Sequence, residues 1–158
     1  MPRLPYTKLA PEAYRQLNAL SGHLKTTSLG EGLLHLVYLR VSQINGCPYC
    51  VDLHWRDADA LGEDHRKLNG VVIWRDTPFF SDRERAALAW AEAVTVLKDQ
   101  QVPVEEFETA RTQFSDVEIT ELTFAIAAIN AWNRLAIAFH SVPAAVTTAS
   151  VTATAGAA

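Results

Sequence analysis

Apolar residues along this chain recur at three- and four-residue spacing almost throughout, and the alternation expected of half-buried strands is nearly absent. Pro11 opens a predicted helix that runs to Leu24, with Tyr14, Leu17 and Leu20 at helical spacing. Gly30-Glu31-Gly32 breaks the pattern. A second helix is predicted over 31–45, with Leu33, Leu36, Val37, Val41 and Ile44 on one side and Arg40 and Gln43 on another. Asn45-Gly46 is a C-terminal cap signal. Cys47 then falls at an N-cap, and Pro48 opens a third helix expected to end near Leu61 and Gly62. A short helix over 63–69, an apolar linker over 71–74 and a loop, Thr77-Pro78-Phe79-Phe80, follow; the loop is expected to lie over a pocket. Ser81-x-x-Glu84 and Ser115-x-x-Glu118 have capping-box spacing and open helices over 81–98 and 115–139, with another over 102–114 between them. The last is apolar almost all round from Leu122 to Phe139, as in a helix buried in a core or a subunit interface. The pattern predicts one all-α domain of about seven helices over 1–141. A tail over 142–158, rich in Ala, Thr and Val, follows without periodicity or charge.

Composition narrows the class. Of 158 residues, 49% are apolar and 20% charged, the balance of a globular chain with a sizeable core. The net charge of −4 and the absence of a Lys/Arg cluster argue against nucleic acid as a partner. No apolar run is long enough to span a bilayer, and Met1-Pro2-Arg3-Leu4-Pro5-Tyr6 lacks the apolar stretch of a secretory signal. A cytoplasmic location is expected.

The chemistry concentrates in "INGCPYCVDLH", residues 44–54, which holds the chain's only two cysteines. A C-x-x-C with its first member at a helix N-cap places both sulfurs within disulfide reach, and unpaired backbone N–H groups there stabilise a thiolate. His54 lies one turn beyond Cys50 on the same face and can relay its proton. Asp52 and Asp57 are expected to point elsewhere into solvent. Three readings stand: a dithiol/disulfide redox pair, which is preferred; a zinc site of Cys47, Cys50, His54 and a further ligand such as His35; and two inert buried cysteines. The tetrapeptide Cys-Pro-Tyr-Cys is also glutaredoxin's. That fold needs a strand before the motif, however, and "LLHLVYLRVSQ" (33–43) reads as helix.

"LRVSQINGCPYCVDLHWRDA" (39–58) resembles the signature of the alkylhydroperoxidase D-like (AhpD-like) proteins, within the carboxymuconolactone decarboxylase family, and "NAWNRLAIAFH" (130–140) resembles a second segment of one large subgroup. The resemblance runs from about Tyr14 to Phe139. It implies an all-helical homo-oligomer, a trimer or hexamer, with peroxidase or disulfide-reductase chemistry and no haem, flavin or metal. It assigns the peroxidatic role to Cys50, the resolving role to Cys47 and proton relay to His54. Members that decarboxylate muconolactones typically lack the cysteine pair. The implied partners are an organic hydroperoxide and an external dithiol reductant. The alternative is a redox-sensing or stress-response protein of the same fold with little turnover, or a zinc-stabilised module.

One position departs from the family. The relay glutamate expected twelve residues before the first cysteine is His35 here. A neutral imidazole accepts a proton but carries no negative charge. Glu31, one turn earlier, is a candidate to supply it. Leu53, Trp55, Phe79 and Phe80 are candidate pocket walls, and Trp132 is expected in the core. Asn130, Asn133 and Arg134 need partners within an apolar helix, Arg134 in an ion pair across subunits or at the site. His140 suits the negative end of the last helix, and His23 and His65 are expected at the surface.

Overall fold

A computed structural model describes residues 2–145; from residue 146 on, the predicted tail lies outside the described residues. Helices account for all the regular structure among these residues: α1 (Tyr6–Leu9), α2 (Pro11–Leu24), α3 (Glu31–Asn45), α4 (Pro48–Ala60), α5 (His65–Gly70), α6 (Asp82–Val96), α7 (Val104–Arg111) and α8 (Asp116–Ala138). Seven of these match the predicted helices. The eighth, α1, is a single turn that the periodicity did not signal, because none of its residues is buried. The apolar linker is a 3-10 segment, Val71–Asp76, that buries Val71 and Trp74.

Local chemistry sets the helix ends. Ser81 and Ser115 close full capping boxes with Glu84 and Glu118. Gly46 ends α3 in the left-handed region, at φ 67°, which a side chain rarely tolerates. Its N–H donates to Gln43 O, and Cys47 N–H donates to Ser42 O at 3.0 Å. The chain therefore turns from α3 into α4 within two residues.

The expected single apolar side of α3 is wrong: this helix is buried nearly all round. Leu34, Leu36, Val37, Leu39 and Val41 are each 0% exposed, and His35, Tyr38 and Ser42 are buried among them. α3 is the central helix, packed against α4, α6 and α8. Burying each Leu or Val contributes roughly 1.5–3 kcal/mol, so this helix anchors the fold. One cluster joins α3 to α2, α6 and α8 and includes both cysteines; the other joins α3 to α4, α6 and the 3-10 segment around Leu36, Leu39, Trp74 and Phe80. No helix among the described residues is long and apolar enough to cross a membrane.

Candidate active site

The C-x-x-C sits where the sequence predicts, at the start of α4. Cys47 is the N-cap, and its Sγ accepts the Cys50 backbone N–H at 3.3 Å; Pro48 follows in the first turn. The thiol of Cys50 also hydrogen-bonds Cys47, and with the Cys50 and Tyr49 backbone N–H groups and the Asn133 amide it outweighs burial and brings the Cys47 thiol from 9.0 down to about 7. Cys50 is pushed up: its proton is held in the bond to Cys47, and burial and the nearby Cys47 charge both oppose a second thiolate. Once the pair has lost one proton, the charge lies on Cys47 and the remaining proton on Cys50.

Asn133 of α8, 0% exposed, holds this turn from behind. Its Nδ2 donates to Ser42 Oγ at 3.0 Å, and its Oδ1 accepts from Asn45 Nδ2 at 2.8 Å. Asn45 Nδ2 also donates to Asn130 Oδ1, and Asn130 donates to Thr95 and to Ile126 O. The polar residues of the second motif therefore find the partners that burial demands. Arg134 donates to Asn130 and does not line the site.

Beyond the turn, α4 presents Cys50, Leu53, His54 and Asp57 to a cavity of about 310 Å³. Spacings of three, four and seven put these four on one helical face. Asp57 is therefore misplaced in the solvent expectation: its Oδ2 lies 3.9 Å from His54 Nδ1 and 3.8 Å from His35 Nδ1. Asp52 instead pairs with Arg56 on the exposed side. His35 reaches the cavity from α3, and the two Nδ1 atoms are 3.3 Å apart, in hydrogen-bond reach. Glu31 Oε2 lies 3.9 Å from His35 Nε2 and 3.2 Å from Lys25 Nζ. Burial lowers His54 to about 3, helped by His35 and Lys25; burial also lowers His35, against the pull of Asp57. Both rings are neutral at pH 7.

The remaining walls are aromatic. Tyr6 of α1, Tyr14 of α2, Tyr38 of α3, Tyr49 of α4 and Trp132 of α8 line the cavity. Tyr14 meets Trp132 edge-on at 5.6 Å, and Trp132 Nε1 donates to Ser21 Oγ. Trp132 both packs on the core and faces the cavity. Of the four predicted walls only Leu53 belongs here. Trp55, Phe79 and Phe80 are corrected: they pack in the second core cluster, because α4 turns Trp55 away from Cys50 and the 77–80 loop packs both its rings into that cluster. Tyr38 was missed. Its hydroxyl is buried without a hydrogen-bond partner among the described residues, and burial pushes its pKa up to about 12. His23 and His65 are exposed, as expected, the latter paired with Asp59. His140 follows the end of α8.

The sequence profile of the carboxymuconolactone decarboxylase family matches residues 11–93, the segment that carries α2 to α5, most of α6, both cysteines, His35, His54 and Asp57. The chain belongs to this family. The uncharacterized protein YdfG from Bacillus subtilis is 32% identical over 136 residues, covering 86% of this chain and 92% of YdfG. A crystal structure of a protein of unknown function from Agrobacterium tumefaciens, described as a putative antioxidant defence protein AhpD, is 40% identical. It superposes with a TM-score of 0.87, covering 92% of this chain and 100% of that one. The debrominase Bmp8, solved with 2,3,4-tribromopyrrole, has the same fold at 21% identity and a TM-score of 0.79, over 88% of this chain and 74% of that one. The all-α architecture is thus AhpD-like, within a family whose members include enzymes.

Proposed function

We propose that the chain is a thiol-dependent peroxidase or disulfide reductase that cycles Cys47 and Cys50 between dithiol and disulfide. An organic hydroperoxide is the oxidant and an external dithiol the reductant. The observation that carries this reading is the division between the two sulfurs. Cys50 borders the cavity, whereas Cys47 sits behind it at a helix N-terminus that stabilises its thiolate.

The sulfur that faces the substrate is therefore not the one with the lower pKa, so Cys50 must lose its proton before it attacks. His54, one turn along the same face, relays that proton toward the peroxide, and its depressed basicity means that it passes the proton on rather than holding it. Glu31 beside His35 Nε2 favours a proton on that nitrogen. His35 Nδ1 then accepts from His54 Nδ1–H, which leaves His54 Nε2 unprotonated as the base. His35 in this way passes on the polarity that a glutamate would supply directly.

Cys50 thiolate attacks the terminal peroxide oxygen and the O–O bond breaks. Cys50 becomes a sulfenic acid, and the departing alkoxide leaves as alcohol with the Cys50 proton that His54 passes to it. Cys47 thiolate attacks the Cys50 sulfur, the S–O bond breaks, and hydroxide leaves and is protonated by solvent. For reduction, an external thiolate attacks Cys50 Sγ and expels Cys47, whose lowered pKa makes it the better leaving group; the second external thiol then frees Cys50. The aromatic walls suit an organic hydroperoxide over hydrogen peroxide. Val117 and Phe124 of α8, 66% and 55% exposed, support a homo-oligomer, for which the family resemblance implies a trimer or hexamer. A cytoplasmic location would keep the resting thiols reduced.

The test is thiol titration after one equivalent of an organic hydroperoxide. Two thiols per chain should disappear within minutes, Cys50→Ser should abolish the reaction, and Cys47→Ser should stop at a trappable sulfenic acid on Cys50. Undiminished peroxide consumption by Cys50→Ser would overturn the assignment. His35 in place of the glutamate favours a second reading, a redox sensor with little turnover. Excess dithiol separates the two: repeated turnovers for an enzyme, a single one for a sensor.

A further inference from the structure

We propose that His35, His54 and Asp57 form a divalent-cation site of zinc type on the wall of the thiol cavity. The proposal goes beyond the dithiol cycle and does not depend on it. Among the described residues these three side chains are grouped so that one ligand atom from each lies within 4.8 Å of the others, and neither cysteine belongs to the group.

The spacing identifies the geometry. Two imidazole nitrogens held tetrahedrally at the usual zinc distance of about 2.0–2.1 Å stand roughly 3.3–3.4 Å apart. The two Nδ1 atoms are 3.3 Å apart. Adjacent octahedral ligands at the same bond length would stand only about 3.0 Å apart. Asp57 Oδ2, at 3.8 and 3.9 Å from the two nitrogens, lies somewhat outside tetrahedral spacing. Its side chain is 39% exposed and free to close that gap.

Two further features favour a cation here. Glu31 Oε2, 3.9 Å from His35 Nε2, stands where an outer carboxylate usually orients a metal-bound histidine. Tyr38 lines the same cavity with a buried, unpartnered hydroxyl, a ready partner for water on the open fourth position. Lys25 opposes a cation, but its ammonium is paired with Glu31. Histidine at position 35 gives this group two nitrogens and one carboxylate, where glutamate would leave one nitrogen and two carboxylates.

The experiment is a cobalt(II) titration of the full chain, read by its visible ligand-field spectrum. The expected result is one ion per chain with tetrahedral bands and no thiolate-to-cobalt charge transfer. His35→Leu and Asp57→Ala should each weaken binding at least about tenfold. The Cys47→Ser/Cys50→Ser chain, which lacks thiol chemistry altogether, should still bind, so failure of the peroxidase reading and failure of this one are distinguishable. A thiolate charge-transfer band, no stoichiometric binding, or unchanged affinity in both His35→Leu and Asp57→Ala would overturn the site.

Discussion

Replacing Cys50 leaves Cys47 as the sole thiol and isolates what stabilises its charge. In the native chain that thiol titrates near 7 rather than 9.0, so about half is thiolate at pH 7 instead of roughly 1%. The largest contribution is the hydrogen bond from the Cys50 thiol; backbone N–H groups and Asn133 supply the rest. A hydrogen bond to a charged acceptor contributes about 1.5–3 kcal/mol, which is about one to two pKa units. Cys50→Ala removes that donor and keeps the backbone cap, so Cys47 should titrate at about 8 to 9. Cys50→Ser keeps a donor and should leave Cys47 near its native value. The assay is thiolate ultraviolet absorbance against pH in each single-thiol chain, with Cys47→Ser/Cys50→Ser as the blank. The folded pKa is depressed, so the associated stability is fully present above 9.0 and is lost as pH falls through about 7. The Cys50→Ser chain should therefore lose stability toward acid relative to the blank. If Cys50→Ala and Cys50→Ser titrate at the same pH, the thiol–thiolate bond is not what lowers Cys47.

Three other substitutions probe the surroundings. His35→Glu should speed peroxide-driven thiol loss by at least about tenfold, since general-base catalysis contributes on the order of a hundredfold or more; an unchanged rate would remove position 35 from the relay. Gly46→Ala meets no steric obstacle but sits at φ 67°, so urea unfolding should show a loss of about 1–2 kcal/mol from backbone strain alone. Asn133→Leu leaves Ser42 Oγ and Asn45 Nδ2 short of a buried partner, and should cost about 1–3 kcal/mol for each group left unpaired while raising the Cys47 pKa.

The helix boundaries were legible because they depend on chemistry within a few residues. Asn45-Gly46, Pro48 and the two capping boxes each act locally, and each stands where the sequence places it. The positions of Cys47, Cys50 and His54 followed from the same arithmetic. Asp57 was legible in principle, since seven residues from Cys50 completes two turns of one face. What concealed it was the assumption that a charged side chain on a polar helix points to solvent. The meeting of His35 with His54 depends on how α3 crosses α4, which no local pattern encodes. Tyr38 was masked for the same reason: one tyrosine in an apolar helix looks like any other core residue. Trp55, Phe79 and Phe80 show the converse, because aromatic residues near a motif in sequence pack away from it in space.

The walls of the cavity differ in how firmly they are attached. The inner wall belongs to α3 and α8, the two helices that bury the most residues. The outer wall carries Tyr6 and Tyr14 on α1, with no buried residue, and on α2, with only Leu24 fully enclosed. Its end is tied to α8 by Arg3 N–H to Phe139 O, by Arg3 Nη1 to Ala138 O, and by the stacking of Tyr6 on Phe139. Local opening free energy follows buried contact, so this N-terminal flap should exchange its amide hydrogens well before the helices behind it. A small hydroperoxide needs only the cavity, whereas a protein-sized reductant must bring its own thiol against Cys50. The two halves of the cycle would then differ in gating: oxidation would proceed with the flap closed, and reduction would be timed by its opening.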